Sequence, residues 1–256
     1  MLDVTERGPV TVLTMRDDAR LNALSDAMLD RLGAALDRVA ASDARVVVLA
    51  AEGRAFSAGH DLREMQALRQ SPDPAAGFAD LFDRCAAVMA RIRALPQPVI
   101  ARVHALATAA GCQLVATCDM AVAGQGARFG VNGVDIGLFC STPMVALTRN
   151  VGRKKAFEML STGRFLSADA AEAAGLVNRV VADADLDAAV DALADTVAAK
   201  LPGAVRIGKG VFHAQAERPV DDAYALARDA MVANLMEADT DEGITAFLEK
   251  RAPRWT

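Results

Sequence analysis

Five consecutive apolar residues, Val46-Val47-Val48-Leu49-Ala50, constrain this chain more than any other stretch. A strand with one wet face alternates apolar and polar residues. An unbroken apolar run instead marks a strand buried on both faces, as in a parallel sheet covered by helices. Val99-Ile100-Ala101-Arg102-Val103 and Met120-Ala121-Val122-Ala123 read as further strands, and Val10 to Met15 alternates with period two. Between them lie helical patterns. Ser25 is placed to cap a helix carrying Met28, Leu29, Leu32, Leu36 and Val39 on one face. Another helix runs from about Phe78 to Leu95 and stops at Pro96. Gln70-Ser71-Pro72-Asp73-Pro74 reads as the breaking loop before it. Strand and helix alternating in this order predict an α/β domain of repeated crossover units.

The pattern changes after Pro143, where only Leu176 to Val181 offers another strand. Pro202 and Gly203 punctuate a boundary near residue 200. We therefore expect a core over residues 1–199 and a helical unit over residues 200–256, with amphipathic helices at Val205–Ala216, Val220–Met236 and Asp241–Arg251. A chain of 256 residues can hold one substantial core plus such an appendage. Its net charge of −5 does not favour a nucleic-acid or membrane-surface role. No apolar run reaches the roughly 20 residues of a membrane span. Met1-Leu2-Asp3-Val4-Thr5-Glu6 lacks the basic flank and apolar stretch of a secretory signal, so the expectation is a cytoplasmic protein. The four cysteines form no Cys-x-x-Cys pair and the three histidines are scattered, which predicts reduced thiols and no metal site.

Two strand-to-helix junctions carry the chemistry. Ala55-Phe56-Ser57-Ala58-Gly59-His60 is a loop of mostly small residues, and Asp61 is placed to cap the helix that begins near Leu62. His104 to Gly111 repeats the design before a helix from about Ala109. Such turns present free backbone N–H groups at the positive end of a helix dipole, and small side chains let a ligand approach. Each turn alone is ordinary close packing. Two of them, about fifty residues apart on one side of an α/β core, point to two N–H donors aimed at one oxygen, one near Ala58 and one near Ala110.

At these residues the sequence resembles the crotonase, or enoyl-CoA hydratase/isomerase, superfamily. The resemblance rests on Leu21-Asn22-Ala23-Leu24-Ser25, Phe56-Ser57-Ala58-Gly59-His60-Asp61-Leu62, Gln97 to Val103, Ala109-Ala110-Gly111-Cys112-Gln113-Leu114, Cys118-Asp119 and Glu242 to Arg251 with Pro253 and Trp255. It implies a spiral of repeated ββα units, then a helical C-terminal region that builds a homotrimer or a dimer of trimers. It also implies that coenzyme A enters as part of a thioester substrate, with no separate bound cofactor. Ala23, Ala58, Gly59, His60, Asp61, Leu62, Ala110 and Gly111 match the positions around the CoA and thioester, with the N–H groups of Ala58 and Ala110 as oxyanion donors. Lys250 matches a segment that reaches the nucleotide end, and a solvated helix residue explains it equally well.

The resemblance breaks at the acid–base pair. Family hydratases hold the attacking water between two glutamates, and here those positions are Gln113 and Gly133. An amide orients a water but does not titrate usefully, and glycine offers no side chain. Families with the usual pattern also have glycine where Ala109 and Ala110 stand. Asp135 is the nearest replacement carboxylate: it faces the pocket with residue 133 if that stretch is extended, and not if it is a turn. Cys140 and Ser141 read as a buried thiol and a helix cap, and His60 as a residue that shapes the loop. Three functions stay open: a hydratase of fatty acyl-CoA using Gln113-held water and Asp135; an isomerase, thioesterase or decarboxylase of the same fold; and a non-catalytic acyl-CoA-binding scaffold. Reinstating glutamate at 113 and 133 is expected to create hydratase activity where the scaffold is otherwise intact.

Overall fold

The computed structural model describes residues 1–255. Strands β1 (Leu2–Arg7) and β2 (Val10–Met15) form a hairpin, and helix α1 (Asp26–Ala40) follows with the Ser25 hydroxyl accepting from the Met28 N–H. The chain then winds through units that each place one strand in each of two sheets. These are β3 (Val46–Ala51) and β4 (Ala55–Ser57) with α2 (Leu62–Arg69) and α3 (Pro74–Ala94); β5 (Val99–Val103) and β6 (Leu106–Thr108) with α4 (Ala110–Thr117); and β7 (Met120–Gly124) and β8 (Arg128–Gly130) with α5 (Ser141–Leu147) and α6 (Arg153–Thr162). The last unit, β9 (Leu166–Ser167), α7 (Ala168–Ala173) and β10 (Arg179–Val181), returns to the first sheet, and α8 (Leu186–Ala198) covers that sheet. The larger sheet has the order β1-β2-β3-β5-β7-β10 and the smaller one β4-β6-β8-β9. Every pairing is parallel except β1 with β2 and β8 with β9. This is the expected α/β spiral of ββα units.

The unbroken apolar run at β3 has a direct cause. Val47, Leu49 and Ala51 face the main core with α1 and α3, while Val46, Val48 and Ala50 face Leu186, Val190, Ala194 and Ala198 of α8. Both faces of the pleat are dry, so neither register position tolerates a polar side chain.

Three helices complete the chain: α9 (Pro202–Gln215), α10 (Val220–Leu235) and α11 (Ala238–Leu248). A buried cation fixes α9 to the core. Lys209 Nζ donates to the carbonyls of Ile92 and Gln97 and pairs with Asp119 at 2.6 Å, and His213 meets the other Asp119 oxygen at 3.1 Å. Beyond that anchor the helices expose large apolar side chains, among them Phe212, Tyr224, Met231, Met236, Phe247 and Leu248.

Candidate active site at two strand-to-helix turns

The turn after β4 and the turn after β6 pack directly against each other. Gly59 has φ +86°, and a Cβ there would lie 2.9 Å from Ala109 Cβ and 3.1 Å from the Ala110 nitrogen. A Cβ on Gly111 would overlap the Ser57 carbonyl, so glycine is what lets α4 start against β4. The Leu21–Leu24 segment stitches the first turn in place. The Leu24 N–H donates to Gly59 O at 2.7 Å, and the Ala58 N–H donates to Leu21 O at 3.0 Å. Asn22 secures that segment. Wholly buried at φ +50°, it accepts from the Asp17 N–H and donates to the carbonyls of Glu52 and Ala55. The short polar side chain suits a left-handed residue because it completes local backbone hydrogen bonds. Asp61, as expected, caps α2 by accepting from the N–H groups of Arg63 and Glu64.

This stitching corrects one assignment. The Ala58 N–H is spent on Leu21, and the Gly59 N–H is satisfied by the Ser57 hydroxyl at 3.3 Å. The first N–H on this turn with no partner among the described residues belongs to His60. On the other turn the Ala109 N–H donates to Gly130 O, leaving Ala110, first residue of α4, with a free N–H. Ala109 adopts φ 49° and ψ −121°, a conformation that glycine reaches easily and alanine does not. Backbone strain is thus stored beside the free donor.

Gln113 lies one turn along α4 from Ala110, and helical side chains lean back toward the N-terminus. Its side chain is buried and its Oε1 has no hydrogen-bond partner. His60 Nε2 is likewise buried and unpaired, while its Nδ1 sits 3.4 Å from Leu24 O and its ring meets Phe82 edge-on at 5.7 Å. Burial lowers the pKa of this imidazole from its ordinary 6.5, against a smaller opposing contribution from the Leu24 carbonyl. Beside the second turn, Thr108 Oγ1 donates to Asn132 Oδ1 at 2.6 Å.

The segment after β8 differs from both carboxylate-bearing alternatives. Gly133–Ile136 is a 3-10 turn, so residues 133 and 135 do not share a face. The exposed Asp135 accepts from Asn132 Nδ2 at 3.4 Å and packs on Gly163, at the end of α6. The extended geometry that would aim Asp135 into the pocket is therefore absent. The Gly133 position is also filled. A Cβ there would overlap the Leu138 carbonyl and approach Cys140 Sγ to 2.9 Å. Installing glutamate at 133 thus requires the backbone to move. No sequence signal announces this obstruction, because a main-chain carbonyl causes it.

The thiols behave as packing groups. Burial raises Cys112 to about 12 and Cys85 to about 11, and it raises Cys140 as well. The Ser141 hydroxyl makes only a long 3.4 Å bond to Phe139 O. Among the expected ligand-site residues, Ala23 is buried and Leu62 is exposed. Lys250 stands exposed at φ +56° past the end of α11, with no hydrogen bond joining it to the 58–62 turn. No group of three or more His, Cys, Asp or Glu side chains placed to hold a metal occurs among the described residues. Within them, no helix is long and apolar enough to cross a membrane.

A model of the enoyl-CoA hydratase/isomerase family matches residues 5–256. The chain belongs to that family. It is 45% identical over 245 residues to the human "Enoyl-CoA hydratase domain-containing protein 3, mitochondrial", covering 95% of this chain and 80% of that protein. The crystal structure of the human domain-containing protein 3 superposes with a TM-score of 0.94 at 42% identity, over 99% of each chain. An enoyl-CoA hydratase of Mycobacterium smegmatis gives a TM-score of 0.96 at 52% identity, over 99% of this chain and 98% of that one. Membership in the enoyl-CoA hydratase/isomerase family accounts for the two-sheet spiral and its motifs. Gln113 and Gly133 are features of this sequence within that frame.

Proposed function

We propose that this protein binds an acyl-CoA thioester and holds its carbonyl oxygen between the N–H groups of His60 and Ala110. The observation that carries the reading is the pair of unpartnered backbone donors on two turns in contact, one of them at the start of a helix. Two such donors in a water-poor site stabilise charge on that oxygen. The chemistry this supports is enolate or oxyanion stabilisation on a fatty acyl thioester. Crotonyl-CoA hydration is disfavoured, since Gln113 does not titrate and the space beside Gly133 is occupied by Leu138 O. Family membership supports coenzyme A as the carrier of the acyl group. A non-catalytic acyl-CoA-binding role is the second reading, favoured by the same loss of both carboxylates.

The exposed apolar residues of α9 to α11 support assembly as a homotrimer or a dimer of trimers, with residues 200–256 as the oligomerisation unit. Cytoplasmic residence is part of the same proposal, to be checked by fractionation, since the human relative's name places that protein in mitochondria.

Isothermal titration of the protein with butyryl-CoA, coenzyme A and butyrate tests the ligand. Butyryl-CoA is expected to bind more tightly than either part. Equal affinity for butyryl-CoA and free coenzyme A would remove the thioester from the reading. A crotonyl-CoA hydration assay on the same preparation is expected to stay at the uncatalysed rate.

A further inference from the structure

Burying a hydrogen-bonding nitrogen without a partner costs about 1–3 kcal/mol, so an orphaned imidazole lone pair calls for a reason. His60 carries one. Its Nδ1 faces the Leu24 carbonyl, which can only accept, so the proton resides on Nδ1. Nε2 is therefore the unprotonated nitrogen, and it is the atom that is buried without a partner. The same residue contributes the free N–H of the first turn. Covalent geometry keeps an imidazole Nε2 within roughly 6 Å of its own backbone nitrogen. One residue thus offers both a donor for a carbonyl oxygen and an unprotonated ring nitrogen.

The other orphaned imidazole nitrogen among the described residues, His104 Nδ1, belongs to a ring whose Nε2 lies 2.8 Å from the Gly53 carbonyl, at the opposite ends of β4 and β6 from the two turns. Asp61 is used by the cap of α2, and Lys209 is paired with Asp119 beneath α9. The four cysteines are buried, with their thiols held protonated by that burial. The charged groups acting on the imidazole are Asp26 at the start of α1 and Arg84 on α3, which is itself paired with Asp26 and Asp80. The Phe82 ring beside it is half-buried.

We propose that Nε2 of His60 is the base that removes a proton from C2 of the bound acyl thioester. This rests on the acyl-CoA reading above. Nε2 takes the proton, and the C2–H pair becomes the C1=C2 bond. The carbonyl π pair moves to the oxygen, held by the N–H groups of His60 and Ala110. The imidazolium keeps its Nδ1 proton on Leu24 O and exchanges the Nε2 proton with water. Return of a proton to C2 closes the cycle without any oxidant, reductant or co-reactant. Residue 60 thereby serves twice, through its main chain and its ring.

Deuterium incorporation at C2 of butyryl-CoA in D2O, followed by proton NMR, tests this directly. The wild-type protein should exchange the C2 protons, more slowly as pH falls and the imidazole is protonated. His60→Gln keeps both backbone donors and should lower the exchange rate on the order of 10²–10⁴-fold, the scale of general-base catalysis. His60→Phe, which retains a ring against Phe82, should lose exchange as completely. Bound butyryl-CoA with no exchange above buffer, or equal exchange in both variants, would overturn the assignment of the base while leaving the binding reading standing. Failure of butyryl-CoA to bind would overturn both.

Discussion

The two turns that face one another and the segment after β8 had equal claims on catalysis in the sequence, and they folded to opposite ends. Around the turns, each close approach is permitted by a small residue: Gly59 against Ala109 and Ala110, Gly111 against Ser57. The main-chain groups there are satisfied by Leu21, Leu24 and Gly130, leaving the His60 and Ala110 N–H groups free. After β8 the chain has closed on itself, with the Leu138 N–H on Gly133 O and the Leu138 carbonyl where a residue-133 side chain would begin. Loss of a carboxylate can be a side-chain event, reversible by one codon. At residue 133 the main chain occupies the space where a side chain would begin. The two turns keep a pair of unpartnered N–H donors, and the segment after β8 has filled the space beside Gly133.

The sharpest way to break that contrast is Gly133→Glu. Overlap with the Leu138 carbonyl should lower stability by about 3 kcal/mol, read from urea unfolding, and should yield no crotonyl-CoA hydration even when combined with Gln113→Glu. A stable, hydrating double variant would mean that the segment after β8 yields easily.

A pH series sharpens the other side of the comparison. Burial holds the His60 pKa below 6.5, so below that pH the unfolded chain binds the proton more readily than the folded one. Folding stability should therefore decline as pH falls through the window under 6.5, and level off once the folded-state pKa is passed. His60→Gln should remove this part of the decline, measured as the difference between chemical denaturation midpoints at pH 7 and pH 5. An unchanged decline would place the imidazole in water.

Ala109→Gly tests whether the second turn stores strain. At φ 49° and ψ −121° the replacement should raise stability by about 1 kcal/mol, the relief of strain exceeding the entropy cost of glycine. A loss of stability would contradict it. The smallest effect is expected from Asp135→Asn. Its side chain lies on the surface against Gly163, so butyryl-CoA affinity should change by less than about twofold. A larger loss would return Asp135 to the site.

The order of elements was legible because the larger sheet is buried on both faces and advertises itself as apolar runs at β3, β5 and β7. The smaller sheet was not read from patterning, since β4, β6 and β8 are three residues each, too short to show a period. Only the family resemblance supplied it. At the site, the glycines and the capping Asp61 could be read from residue types. Which N–H stays free could not, because it depends on Leu21 reaching across to Ala58. The obstruction at Gly133 was equally hidden, since the residue type says that a side chain is missing and not that a carbonyl has taken its space. Lys209, the anchor of α9, had no motif to betray it: its role arises from two carbonyls and Asp119 meeting around one buried ammonium.

The infrared carbonyl band of butyryl-CoA labelled with carbon-13 at C1 reports the two donors most directly. Bound to the protein, the band should move to lower wavenumber than in water, because two oriented N–H groups polarise the carbonyl. A bound thioester whose carbonyl band stays at its solution position would contradict the account.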